Sequence, residues 1–244
     1  FARAPDAVSI YEVSPRDGLQ NEAAMISLEG KKRLLDGLIK AGLRRIEITS
    51  FVSPKWVPQL ADAEELAREY RPPPGVTFGA LCPNAKGLER ALAAGLTEIA
   101  VFLSSSETHN KMNINKTIDD TLAVFEEIVP PAREKGLAVR AYLSTVWGCP
   151  YEGNVDPKKA LSISKRLVAL GCYQVSIADT IGVGTPRQTD TIVRMFRDEM
   201  PLSQIALHLH DTRGTALANI LTGLQLGVRD FDSAVAGVGG CPYA

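Results

Sequence analysis

The sequence predicts a single (β/α)8 barrel of the TIM type, and three observations predict it. Short β-rich runs alternate with longer helical stretches through the whole chain, giving eight strands and seven intervening helices. The joints between them are short and carry glycine or proline stops. At 244 residues the chain also has the length at which such barrels close. An open doubly wound sheet is the alternative. It is disfavoured because no Gly-x-Gly-x-x-Gly follows the first strand, and because eight units match barrel closure.

Each element has its own warrant. Residues 8–13 read as the first strand, and 28–41 as a helix whose apolar positions Leu34, Leu35, Leu38 and Ile39 share a face. Gly42 stops that helix. Residues 45–49 form the second strand and 61–70 the second helix. The breaker Pro72-Pro73-Pro74-Gly75 precedes a third strand at 76–81, and the helix 85–94 ends at Gly95. Strand 98–103 leads into a polar loop, 104–115, and then one long helix, 118–135. Strand 137–143 is followed by helix 157–170, ended by Gly171, and strand 173–178 by helix 189–200. Strand 205–210, helix 216–226 with its stop at Gly227, and strand 231–235 complete the series. Nothing signals a second domain, so residues 1–244 are expected to form one catalytic barrel. The sequence stops before a helix that would close the ring after strand eight.

Composition narrows the function classes. A net charge of -1, with 45% hydrophobic and 23% charged residues, is that of a globular protein. It supplies no electrostatic pull toward nucleic acid or membrane. No run approaches the ~20 apolar residues of a membrane span, and the first residues lack a signal peptide's apolar core. The four cysteines are widely spaced with no Cys-x-x-Cys pair, the usage of a reducing compartment. A cytoplasmic location is expected, or a mitochondrial matrix one if a targeting segment has been removed.

Barrel enzymes carry their chemistry at the C-terminal ends of the strands. There the sequence places Arg16 and Asp17 after strand one, Glu47 on strand two and Asp179 after strand six. Strand seven ends in His208 and His210, and strand eight leads to the glycine-rich loop with Cys241. Two of the chain's three histidines thus stand one residue apart in a strand, on one face and about 6.5–7 Å apart along it. Two imidazoles so placed can share a divalent cation, and Asp17 is the candidate third ligand. Such a nitrogen and oxygen set with open positions suits Mg²⁺ or Mn²⁺ better than a closed zinc site. Arg16 would steady an enolate or oxyanion beside it, and a thiol or imidazole would move a proton. Together these parts suit making or breaking a carbon–carbon bond next to a carbonyl.

The same residues have simpler readings. Pro15-Arg16-Asp17-Gly18 is good turn chemistry with a local ion pair. Glu47 could pair with Arg45 or another barrel arginine, and Asp179 could cap the helix after it. Cys82, Cys149 and Cys172 read as small buried hydrophobes, and His109 as a surface residue.

Four stretches carry a resemblance: Tyr11-Glu12-Val13-Ser14-Pro15-Arg16-Asp17-Gly18-Leu19-Gln20-Asn21-Glu22, Ser50-Phe51-Val52-Ser53-Pro54-Lys55-Trp56-Val57-Pro58-Gln59, Ala178-Asp179-Thr180-Ile181-Gly182-Val183-Gly184-Thr185-Pro186 and Gly237-Val238-Gly239-Gly240-Cys241-Pro242-Tyr243-Ala244. The chain resembles the 3-hydroxy-3-methylglutaryl-CoA lyases from about Val8 onward. More loosely, it is similar to the isopropylmalate and homocitrate synthases, which condense acetyl-CoA with 2-oxo acids. The resemblance implies metal-dependent retro-Claisen cleavage of 3-hydroxy-3-methylglutaryl-CoA to acetyl-CoA and acetoacetate, as in leucine degradation and ketone-body formation. It implies Asp17, His208 and His210 as metal ligands, and Arg16 against the enolate of the departing acetyl-CoA. Cys241 and His208 would take part in proton transfer, with Glu47 and Asp179 as active-site carboxylates. Asp17 and a water are the two acceptors left open for the tertiary hydroxyl proton. Lys55, Lys111 and residues 104–115 are candidates to hold the CoA thioester, and a homodimer is implied. The family's further asparagine ligand would fall beyond Ala244, so the chain as written is expected to bind its metal more weakly.

Overall fold

The computed structural model describes residues 4–240. Its eight strands are β1 (Ser9–Glu12), β2 (Arg45–Ser50), β3 (Thr77–Leu81), β4 (Glu98–Ser104), β5 (Ala138–Ser144), β6 (Gln174–Asp179), β7 (Ile205–Leu209) and β8 (Asp230–Ser233). Each pairs in parallel with the next, and β8 closes on β1 with Ser9 opposite Asp230 and Tyr11 opposite Asp232. The expected barrel is therefore the observed one. Around it run α1 (Leu28–Lys40), α2 (Ala63–Glu69), α3 (Ala85–Ala93), α4 (Glu107–Ile114), α5 (Ile118–Glu126), α6 (Val129–Glu134), α7 (Pro157–Leu170), α8 (Pro186–Glu199) and α9 (Ala216–Gln225). No helix among the described residues is long and apolar enough to cross a membrane.

Most of the helices begin where a side chain satisfies a free amide of the first turn. The Ser27 hydroxyl accepts from the Gly30 N–H at 3.2 Å and the Asn84 side chain from Gly87 at 2.9 Å. Thr185 and Gln188 cap α8 reciprocally, so that helix starts at Pro186, ahead of the expected residue 189.

Two larger departures have plain causes. The stretch expected as one helix over 118–135 is divided into α5 and α6 at Glu127 and Ile128, just ahead of Pro130-Pro131 in the first turn of α6. Neither proline can donate the bond that would continue α5, and each ring crowds the carbonyl four residues back. The stretch 104–115, expected as a loop, contains α4, capped by Ser106 and closed by Asn115 at φ 55°. Its buried face is polar, His109 and Asn110, so no apolar stripe advertises it. His109, expected at the surface, is buried there, its ring 6.2 Å from that of Tyr151.

Strand alternation sorts the side chains into two layers. Ile46, Ile48, Phe78, Ile99, Val139, Ala141, Val175, Ile177, Ile205 and Leu207 turn outward and pack with the helices as the main apolar core. The inward positions are not the branched aliphatics that usually fill such barrels. They include Arg45, Glu47, Glu98, Arg140, Tyr142, Gln174, Ser176, His208, Asp230 and Asp232. Arg45 pairs with Asp230 at 2.9 Å and donates to the Tyr173 hydroxyl at 2.7 Å. Arg140 pairs with Asp232 at 2.5 Å between the rings of Tyr11 and Tyr142. Gly79 makes room for this layer: a Cβ there would collide with the Tyr11 hydroxyl oxygen. The barrel axis is thus an ion-paired column with the candidate site at its top.

Candidate active site and metal centre

Residues Ser14–Gly18 leave β1 as a single π-helical turn, a local widening that recurs at functional sites. The Val13 carbonyl takes the N–H groups of Arg16, Asp17 and Gly18 at 3.1, 2.8 and 3.2 Å. Glu12 steadies the turn from below, its Oε1 accepting from the Ser14 and Val235 amides, each at 3.0 Å. This turn delivers Arg16 and Asp17 to the mouth of the barrel.

Arg16 is buried and doubly held. Its Nε donates to Glu47 Oε2 at 2.6 Å and its Nη1 to Asp17 Oδ1 at 2.6 Å. The guanidinium stands 5.3 Å from the Tyr142 ring centroid, and the Tyr142 hydroxyl donates to the same Glu47 oxygen at 3.0 Å. Burial opposes the arginine's charge, but Asp17 and Glu47 outweigh it and hold the group cationic. Burial likewise pushes the Glu47 carboxyl above the usual range, and Arg16 pulls it only part of the way back. The glutamate's partner is therefore Arg16, whereas Arg45 is turned to Asp230 and Tyr173.

The other oxygen of Asp17 faces the histidine pair. Asp17 Oδ2 lies 3.6 Å from His208 Nε2, which lies 3.2 Å from His210 Nε2. One ligand atom from each of the three residues falls within 4.8 Å of the others, a group able to hold a metal ion. Burial works against the Asp17 charge, yet Arg16 and then the two imidazoles hold its carboxyl below the usual range. Burial, with His208 beside it, lowers His210 to about 4, so that imidazole is neutral at neutral pH. The donor chemistry fits a divalent cation: an anionic oxygen and two imidazole nitrogens converge from three half-buried residues.

Asp179 stands differently. Its parity on β6 matches outward Val175 and Ile177, and its two oxygens accept from Val183 at 3.0 Å and Gly184 at 2.7 Å. The carboxylate thus ties down the loop before α8, and it meets the histidine strand through its carbonyl, 3.4 Å from the His210 N–H. Cys241 lies outside the described residues. The loop leading to it packs on the ligand turn: a Cβ on Gly239 would sit 2.6 Å from the Gly18 Cα and 3.2 Å from the Asp17 carbonyl oxygen. Asn21 donates to the Gly240 carbonyl at 2.9 Å. Cys82, Cys149 and Cys172 are buried as expected, and burial pushes the Cys172 thiol up to about 12.

Tyr142, Arg140 and Asp232 also border the site, although no motif in the sequence singles them out. Asp232 touches His208 Nδ1 at 2.9 Å. Its faint signal is the spacing in Asp230-Phe231-Asp232, which repeats on strand eight the period-two pattern of His208-Leu209-His210.

Comparison with known proteins bears on what this site belongs to. The HMGL-like family model matches residues 7–241. The mitochondrial hydroxymethylglutaryl-CoA lyase of Bos taurus is 50% identical over 240 residues, covering 98% of this chain and 74% of the relative. The crystal structure of the Bacillus subtilis HMG-CoA lyase superposes with a TM-score of 0.97 at 48% identity, covering 99% of this chain and 81% of that one. An HMG-CoA lyase from Acinetobacter baumannii, solved with coenzyme A and 3-methylmalate, superposes with a TM-score of 0.93 at 38% identity, covering 98% and 78%. A family match spanning nearly all of the sequence, and relatives alike in sequence and fold, place the chain in the HMGL-like family, that of the hydroxymethylglutaryl-CoA lyases.

Proposed function

We propose that this chain cleaves 3-hydroxy-3-methylglutaryl-CoA to acetyl-CoA and acetoacetate, using a divalent cation, Mg²⁺ or Mn²⁺, held by Asp17, His208 and His210. The observation that carries the reading is the convergence of those three ligand atoms within 4.8 Å beside a buried, doubly anchored arginine. When bound, the cation supplies Lewis acidity, polarising a carbonyl oxygen and lowering the pKa of a hydroxyl.

The chain's own groups supply the rest. In the retro-Claisen step the tertiary hydroxyl gives up its proton to Asp17 or to a water, and its oxygen forms the new carbonyl of acetoacetate. The adjacent carbon–carbon bond breaks and its electron pair passes into the enolate of the acetyl thioester. Arg16 is placed to meet that charge. Glu47 and Asp17 each take one of its N–H groups and leave others directed elsewhere, so the guanidinium is oriented before the charge develops. A proton must then reach the enolate carbon. A thiol on the loop that packs against Asp17 and Gly18 is suited to deliver it, and we assign this role to Cys241. Cys241→Ala is expected to lower kcat at least on the order of 100-fold, with KM and thermal midpoint nearly unchanged. Steady-state kinetics and a melting curve check both.

A coupled assay tests the reaction itself. Release of acetoacetate from 3-hydroxy-3-methylglutaryl-CoA, abolished by chelator and restored by Mg²⁺ or Mn²⁺, is the expected result. Thiol release from acetyl-CoA only when a 2-oxo acid is present would make the chain a Claisen-type synthase instead.

A further inference from the structure

Asp232 is a buried ionisable group beside the site that has no part in the reaction above. It is inward on β8, its side chain 1% exposed. Three donors meet its carboxylate. Arg140 Nη2 reaches Oδ1 at 2.5 Å, the Ser176 hydroxyl donates to Oδ2 at 2.6 Å, and His208 Nδ1 lies 2.9 Å from Oδ2. Arg140 is itself fixed by Gln174 at 3.0 Å and by the rings of Tyr11 and Tyr142, 4.4 and 5.0 Å away. A chain of contacts therefore runs from Gln174 through Arg140 and Asp232 to His208, joining β5, β6, β8 and β7.

We infer that Asp232 is a positioning residue: its carboxylate holds His208 as the Nδ1–H tautomer, which keeps the Nε2 lone pair directed at the space shared with Asp17 and His210. The inference rests on the metal-site reading above and extends it one residue outward. An ionised carboxylate only accepts, so the imidazole nitrogen facing it must donate. A neutral imidazole carries one N–H, so its other nitrogen is left with a lone pair. Nε2 is that other nitrogen, 3.6 Å from Asp17 and 3.2 Å from His210 Nε2. A carboxylate behind a ligating histidine also fixes the ring's orientation and raises its basicity.

An ion pair that merely filled the barrel would not care whether the group facing His208 accepts or donates. Asp232→Asn separates the two roles. Arg140 can only donate, so the amide oxygen must turn to it. The amide –NH₂ then faces His208 Nδ1, which becomes the acceptor, and the imidazole proton moves to Nε2. The variant keeps the shape of the side chain and reverses the tautomer.

The experiment uses the whole chain, stripped of metal, with Mn²⁺ alone as the probe. Two-bond proton–nitrogen correlation spectra at alkaline pH, with His208 assigned by its loss in His208→Ala, are expected to show the Nδ1–H tautomer in the native protein. An Nε2–H tautomer there overturns the inference with no Asp232 variant needed. Asp232→Asn is expected to reverse the tautomer and weaken Mn²⁺ binding on the order of 10- to 100-fold. Ser176→Ala, which leaves Asp232 and Arg140 in place, is expected to keep the tautomer and to weaken binding less than Asp232→Asn does. Unchanged Mn²⁺ affinity in Asp232→Asn, with binding lost in His208→Ala, overturns the inference and leaves the metal site standing. Native protein that takes up no Mn²⁺, or His208→Ala that binds it as tightly as native, overturns the metal-site reading and the inference with it.

Discussion

Arg16→Gln is expected to lower kcat on the order of 100- to 1,000-fold while leaving a folded protein. The loss should fall on kcat rather than KM, because the arginine's charge is needed where the enolate develops and not in the ground state. Glutamine keeps much of the side chain's length but removes the cation held between Glu47 and Asp17. Breaking a buried pair by deleting one partner costs roughly 3–5 kcal/mol when the other charge is stranded. Glu47 has a way out, since burial already pushes its carboxyl up and Arg16 is the main force pulling it back. In the variant it can take a proton and stay in place.

That escape sets the sign of a pH effect. A carboxyl whose folded pKa is raised binds more proton in the folded state than in the unfolded one. Stability therefore declines as pH rises from the unfolded value of about 4.3 toward the folded one. Arg16→Gln should consequently be closest to native stability in mild acid and lose ground toward neutral pH. Adding Glu47→Gln should abolish that slope and recover stability without recovering rate. Melting curves across pH on the two single variants, the double variant and the native protein check the coupling. A double variant that regains the rate would show that Arg16 serves the fold and not the reaction.

What could be read in advance divides along physical lines. His208 and His210 were legible because a strand's period of two puts alternate residues on one face whatever the rest of the chain does. Asp17 followed because barrel closure brings the end of β1 round to β8 and β7. The Arg16–Glu47 pair was not legible as a pair. The residues are 31 positions apart, and Arg45 on the same strand was an equally charged rival. Only the layer each arginine occupies separates them, Arg45 opposite Tyr11 and Thr77 lower in the barrel and Arg16 at its mouth. Asp179 could be placed on β6 but not aimed, since a strand's last side chain can turn to the pocket or to its own loop. The amides of Val183 and Gly184 decide that. Helix α4 was hidden because its buried face is held by polar bonds: Asn110 accepts from the Ser104 N–H and donates to Lys116, Thr117 and Thr121. Hydrophobic periodicity has nothing to report in such a segment.

Asp17→Ala is expected to weaken Mn²⁺ binding by more than the 10- to 100-fold that loss of an outer partner costs, and to take turnover with it. The side chain has two jobs, and its two oxygens separate them. Oδ1 accepts from Arg16 and Oδ2 faces His208. Loss of the first is buffered, because Arg16 keeps Glu47 through Nε at 2.6 Å. Loss of the second is not buffered. It removes the only anionic oxygen among the three converging ligand atoms and leaves two imidazoles, one of them in a pocket that disfavours charge. The variant's metal-free form should therefore melt close to the native metal-free protein, while its response to metal collapses. A ligand at about 100 times its Kd stabilises the folded state by about 2.7 kcal/mol. The native chain should show a shift of that order when Mn²⁺ is added. At the same concentration the variant should show little, because a 100-fold weaker site is only half filled there and a weaker one still less. An undiminished Mn²⁺-dependent shift in Asp17→Ala would remove Asp17 from the ligand set. The histidine pair would then need its oxygen from elsewhere on the rim.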